Sequence, residues 1–144
     1  MSSKFQVYSA VYLILFNKDN QILLSKRAST GFMDGYYGLP SGHLEAGETI
    51  SEAIVRESRE EINITPINFE FVRVNHRKAT TENKRDYIDF YFMTNDYEGE
   101  VQNLEPDKCA ELKWFDVNEL PENIIPYIKN VLQPSDIVKF FAEV

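Results

Sequence analysis

Glu57, Glu60 and Glu61 lie in a stretch that nothing breaks before Asn63. Placed on a helix, they fall at i, i+3 and i+4, on one face and within about 5–6 Å of one another. Carboxylates that close repel, by a few tenths of a kcal/mol per pair even on an exposed helix. Hard divalent cations need oxygen ligands of this kind, and Mg2+ takes one or two carboxylates together with substrate phosphates. The same three side chains also fit an acidic, solvated helix face partnered by Arg56 and Arg59, since Glu is a common helix former. The preceding loop carries Gly42 and Gly47, which allow unusual backbone angles and close approach, and then Glu48.

These residues keep fixed intervals from Gly42 to Ile64. The order is Gly, five residues, Glu, seven residues, Arg-Glu, an apolar residue, any residue, Glu-Glu, any residue, Gly, an apolar residue. Gly42, Glu48, Arg56-Glu57, Glu60-Glu61 and Ile64 meet that spacing. The chain thereby resembles the Nudix hydrolases, the MutT-like pyrophosphohydrolases. Ser58 stands where an apolar residue is usual and Asn63 where Gly is usual. Neither departure removes a ligand. Ser58 suits a partly buried face, and Asn63 can take the left-handed conformation at a helix end. The resemblance extends to Leu23–Arg27, to Gly35–His43 with Tyr37 in place of the more common Trp, and to Trp114-Phe115-Asp116 before Glu119-Leu120-Pro121.

The resemblance implies hydrolysis of a diphosphate linkage in a nucleoside diphosphate attached to another group. It implies Mg2+ or Mn2+ as cofactor, held by Glu57, Glu60 and Glu61. One of these, or a carboxylate from a later loop, takes the proton from the attacking water. Glu111 is the first choice for that later carboxylate and Glu105 the second. Arg56 orients a glutamate, and Glu48 and Gly47 support the loop. Gly42, Arg27 and Asn123 lie on the substrate side. The leading substrate is a nucleoside triphosphate, oxidised ones included, giving nucleoside monophosphate and pyrophosphate. A nucleotide sugar, a dinucleoside polyphosphate and a non-catalytic nucleotide-sensing module are the alternatives. His43 receives no catalytic role. His76 reads as solvated and Cys109 as a small packed residue. Phe32, Tyr36 and Tyr37 could stack on a base, but core packing is the preferred reading, above all for Tyr37.

Several elements must position these groups. Phe5 to Phe16 carries apolar residues on both alternating faces and predicts a central strand covered on both sides. Asn17–Asn20 is a turn and Gln21 to Lys26 a returning strand. Ala28 to Gly35 reads as a loop, Tyr36 to Leu39 as short and extended, Ser41 to Gly47 as irregular. Thr49-Ile50-Ser51-Glu52 is a capping box, so a helix should run from about Thr49 to Ile62 and end at Asn63. Ile67 to Asn75, Asp86 to Thr94 and Leu112 to Phe115 predict strands, with a polar loop from His76 to Arg85. Asp116–Glu119 reads as the cap of a brief helix. Ile124 to Leu132 and Asp136 to Phe141 predict two terminal helices about Pro134. No βαβ rhythm runs throughout. The fold class is therefore α/β of the α+β type, and the resemblance implies an α/β/α sandwich with a mixed central sheet.

Size and charge bound the rest. The 144 residues predict one domain, residues 1–144. Net charge is −8, which argues against a nucleic-acid polymer, where Lys and Arg dominate affinity. A divalent cation can still bridge acidic protein to a phosphate ligand. No segment approaches the ~20 apolar residues that cross a bilayer, so no membrane partner is expected. The single cysteine, Cys109, excludes an internal disulfide and fits a reduced, cytoplasmic compartment. The expected state is a monomer or homodimer binding a small nucleotide.

Overall fold

The computed structural model describes residues 4–81, 83–133 and 141–143. Its elements, in chain order, are β1 (Tyr8–Leu15), β2 (Gln21–Arg27), β3 (Tyr37–Gly38), β4 (Ser41–His43) and α1 (Ile50–Ile62), then β5 (Ile64–Arg77), β6 (Tyr87–Gly99), β7 (Cys109–Asp116), α2 (Pro126–Leu132) and β8 (Phe141–Glu143). Five strands form a sheet in the order β4-β1-β6-β5-β8. It is mixed: β1 runs parallel to β6 and antiparallel to β4, while β5 runs antiparallel to β6 and parallel to β8. Strands β3, β2 and β7 form a second, antiparallel sheet.

Strand β1 is central, and its alternation decides the layers. Val11, Leu13 and Leu15 pack with Ala53, Ile54 and Ile62 of α1. Ala10, Tyr12 and Ile14 pack on the other side with Ile125, Ile128 and Val131 around α2. The strand is covered on both faces as its sequence predicts, and the mixed sheet lies between helices. At its start the expectation fails, since Tyr8 stays exposed at 40%.

Helix α1 begins as the capping box requires. The Thr49 hydroxyl accepts from the Glu52 N–H, and the Glu52 carboxylate accepts from the Thr49 N–H, each at 3.1 Å. It ends on Asn63 at φ 65°, left-handed as predicted. Ser58 differs from expectation: it is 2% exposed rather than partly buried. Its hydroxyl satisfies itself on the Ile54 carbonyl at 2.7 Å, which lets a polar residue replace an apolar one there.

Other differences concern strand ends and turns. Residues 41–43, predicted irregular, pair with β1 as an edge strand. Strand β5 runs on through His76 and Arg77, because Arg77 pairs opposite Tyr87 and is buried against Asp89. His76 is not simply solvated; it bonds Asp86 at 2.9 Å. Strand β7 starts at Cys109, which is buried as expected. Asp116–Glu119 forms a turn rather than a helix, with the Asp116 carboxylate taking the Asn118 N–H at 2.8 Å. Tyr36 is exposed at 39%, whereas Tyr37 is core. Of the second terminal helix, residues 136–140 lie outside the described residues, and Phe141 belongs to β8. No described helix is long and apolar enough to cross a membrane.

Candidate active site

Two elements meet at one end of α1. Gly42, on edge strand β4, lies against the helix face that carries Glu57. A Cβ on Gly42 would stand 1.9 Å from the Glu57 carboxyl carbon, so any side chain there would displace that carboxylate. Gly47 sits at φ +84°, in the left-handed region, where the chain turns from β4 into the helix.

Arg56 organises the outer edge. Its Nε and Nη2 donate to the two oxygens of Glu48 at 3.0 and 2.8 Å, a forked pair. Nη1 donates to Glu57 at 2.8 Å and to Glu60 at 3.3 Å. Nη2 also reaches the His43 carbonyl at 2.9 Å. The Arg56 guanidinium, with help from the Glu45 N–H, holds the Glu48 carboxyl at about 2. Arg56 therefore locks loop, helix and two glutamates together.

The inner carboxylates are in a different state. Burial pushes the Glu61 carboxyl well above the usual range, and the adjacent Glu57 charge adds to that. Burial also raises Glu57, against the lowering effect of Arg56 and of a hydrogen bond shared with Glu61. Two carboxyl groups bonded to each other need a proton or a cation between them. The Ser41 N–H, at 3.3 Å, also faces Glu61. Glu60 is the outermost of the three, with 57% of its side chain exposed.

A cleft of about 570 Å³ opens over these groups. Glu57, Glu60 and Glu61 line it, and so do Arg27, Lys108 and Arg77, the last ion-paired with the buried Asp89. Glu105 lines it as well. The loop that carries Glu105 is tied to the end of α1: Gln102 and Leu104 donate to the Ile62 and Glu61 carbonyls, each at 3.0 Å. Lys108 and Cys109 then fold back onto the Glu105 carbonyl at 2.9 Å. Glu111, the first choice from sequence, is placed elsewhere. It pairs opposite Lys26, and its carboxylate accepts from the Tyr37 hydroxyl. Burial, then that carboxylate, push the Tyr37 hydroxyl up to about 12. Glu111 is fixed in the β2–β7 ladder, while the loop of Glu105 is bonded to the end of α1.

Arg27 lines the cleft, its guanidinium bonded to the Phe32 carbonyl at 2.7 Å. Asn123 does not line it. Its amide donates to the Gly35 carbonyl at 2.9 Å and its own carbonyl accepts from the Tyr37 N–H at 2.8 Å, so it staples two loops. Sequence reading missed Arg77, Asp89, Lys108, Tyr87 and Tyr127 as a group. The available signal was the polar series Arg73, Asn75 and Arg77 at spacing two, which places all three on one face of a strand.

The residues fit a divalent ion of the Mg2+ type. Among the described residues no three acidic, imidazole or thiol groups form a ready cage by themselves. Mg2+ needs no such cage, since it keeps waters and shares its shell between one or two carboxylates and substrate phosphates. The Glu57–Glu61 pair, held together at the cleft wall, offers that donor set.

The NUDIX domain model matches residues 8–133. An ADP-ribose pyrophosphatase of Methanocaldococcus jannaschii is 34% identical over 108 residues, which are 75% of this chain and 62% of that protein's length. An 8-oxo-dGTP diphosphatase of Escherichia coli is 30% identical over 118 residues, covering 80% of this chain and 88% of that protein. The solved MutT Nudix hydrolase of Burkholderia pseudomallei superposes with a TM-score of 0.81 at 25% identity, over 88% of this chain and 96% of that one. With the family's domain spanning residues 8–133 and its acidic helix placed at the cleft, the chain belongs to the Nudix hydrolase family.

Proposed function

We propose that the chain hydrolyses a diphosphate linkage in a nucleoside triphosphate, releasing nucleoside monophosphate and pyrophosphate. The observation that carries this reading is the pair of mutually bonded carboxylates, Glu57 and Glu61, opening onto a cleft that also holds Arg27, Arg77 and Lys108. Acids alone would repel a polyphosphate. A bridging cation, together with Arg27 and Lys108, makes the same cleft attract one.

Glu57, Glu60 and Glu61 hold Mg2+ or Mn2+ in this reading, and the ion supplies neutralisation of phosphate charge. Arg56 and Glu48 fix the direction of Glu57 and act through it. Gly42 leaves the space that the Glu57 carboxylate occupies. Arg27 and Lys108 donate to phosphate oxygens, which aligns phosphorus with the attacking water. Water attacks one phosphorus, the bridging P–O bond breaks, and the water proton passes to a carboxylate. Glu105 is better placed for that proton than Glu111, because it lines the cleft beside Glu61.

The test is a turnover screen with Mg2+ and Mn2+ over nucleoside triphosphates, ADP-ribose and dinucleoside polyphosphates. Nucleoside monophosphate and pyrophosphate from a triphosphate are the expected products. The identity to an ADP-ribose pyrophosphatase supports a second substrate class, in which the products are AMP and ribose 5-phosphate. Turnover at full rate in excess chelator would refute the mechanism in either case.

A further inference from the structure

A second cavity, about 670 Å³, adjoins the cleft and is lined by Phe32, Met33, Tyr36, Ile125 and Tyr127 among others. Arg77 lines both spaces. It rises from the end of β5 and is 8% exposed. Its Nε donates to Asp89 Oδ2 at 2.8 Å, and Nη2 donates to Asp89 Oδ1 at 3.3 Å and to the Tyr12 hydroxyl at 3.4 Å. The guanidinium carbon lies 4.3 Å from the Tyr87 ring centre and 4.2 Å from that of Tyr127. Among the described residues Nη1 has no hydrogen-bond partner.

This is an unusual setting for a group whose task is to attract phosphate. Asp89 is fully buried and cancels the Arg77 charge locally. Two rings and two carboxylate contacts fix the guanidinium plane. What remains is a directional donor, since a guanidinium donates and never accepts. Buried ion pairs can often be replaced by apolar groups at little cost, so their presence is weak evidence of a stabilising role. The flanking cavity, mainly aromatic and apolar with Lys78, Asn83 and Asn130 also in its wall, suits a flat ring with a polar edge.

We propose that Arg77 is the specificity-determining donor for the nucleobase. It gives Nη1–H to a carbonyl on the base edge and thereby selects six-keto purines over six-amino purines. A six-amino group would set donor against donor and leave Nη1 unpaired. The proposal rests on the nucleotide hydrolysis argued above and deepens it.

Inosine and adenosine triphosphates differ only along that edge and are the probes. With Mg2+ present, the unaltered protein should show a kcat/KM for inosine triphosphate at least about tenfold that for adenosine triphosphate, the scale of one hydrogen bond made or lost. Arg77→Lys keeps a positive charge beside Asp89, so folding is retained, but it loses the plane and the second nitrogen. It should bring the two substrates within about twofold, almost entirely by loss on inosine triphosphate. The double variant Arg77→Met/Asp89→Asn, which removes both charges, should do the same. Equal use of both substrates by the unaltered protein overturns the proposal. So does a preference that survives Arg77→Lys, or an equal loss on both substrates, which marks a mere strut. If no nucleotide is turned over at all, the hydrolytic reading fails by itself. Binding of inosine and adenosine monophosphates, followed by calorimetry, then decides the Arg77 claim by the same ratio.

Discussion

Gly42 and Glu57 illustrate how little freedom the site leaves to single residues. The missing Cβ of Gly42 is the space in which the Glu57 carboxyl sits. Gly42→Ala should therefore push the carboxylate out while leaving the strand pairing intact. We expect kcat to fall by about 10²-fold or more, the scale of one lost electrostatic group, with an unchanged far-UV spectrum. Full activity in that variant would show that Glu57 has no fixed task. Glu48 supports a second prediction at this scale. Its carboxyl is held at about 2 against an ordinary value of 4.5. A depressed acid contributes stability that is present above its unfolded value and lost as pH falls through the folded one. The melting temperature of Glu48→Gln should thus lie below that of the unaltered protein at pH 6, and the gap should close between about pH 4.5 and pH 2. A gap that stays constant down to pH 2 would contradict the ion pair with Arg56.

The helix is the element on which everything else is registered, and its start is testable without any substrate. Thr49→Ala removes one cap bond and should cost about 1 kcal/mol in urea-induced unfolding. No loss would mean that the capping box is ornamental. This helix was legible in the sequence because its signals are local: Thr49 and Glu52 three apart, Glu57 and Glu61 four apart, Asn63 at the end. The two faces of β1 were legible for the same reason. What was hidden depends on partners far along the chain. Arg77 reads as loop until Asp89 and Tyr87 are seen opposite it on β6. Glu105 and Glu111 are equivalent as letters; only the bonds from Gln102 and Leu104 to the end of α1 bring one of them to the cleft. The full burial of Ser58, in place of a partly buried face, was hidden because its hydroxyl partner, the Ile54 carbonyl, leaves no mark in composition.

For the whole molecule, a net charge of −8 poses the question of how a polyphosphate is approached at all. Arg27 and Lys108 are gathered at one cleft with the paired Glu57 and Glu61 carboxyls, which in the proposed mechanism hold a divalent cation. Mg2+ should therefore stabilise the folded chain before any substrate is present. Binding only to the folded state raises stability by about 2.7 kcal/mol when the ion is at 100 times its Kd. The melting temperature should rise with Mg2+ in the unaltered protein and stay flat in Glu57→Gln/Glu61→Gln. A rise of equal size in that double variant would place the ion elsewhere.

In the proposed mechanism three glutamates on one helix face carry the chemistry while the rest of that helix only holds them. Glu57→Gln, Glu60→Gln and Glu61→Gln, made singly, remove charge but keep size, and folding should change little because like charges at i, i+3 and i+4 no longer repel. Glu52→Gln is the control, since Gln also serves at that position of a capping box. The decisive measurement is kcat of these four variants with Mg2+ on a substrate that the unaltered protein turns over. That mechanism predicts a loss of about 10²-fold or more in each of the three, falling on kcat rather than KM, and near-full activity in Glu52→Gln. Four variants with the same kcat as the unaltered protein would contradict it.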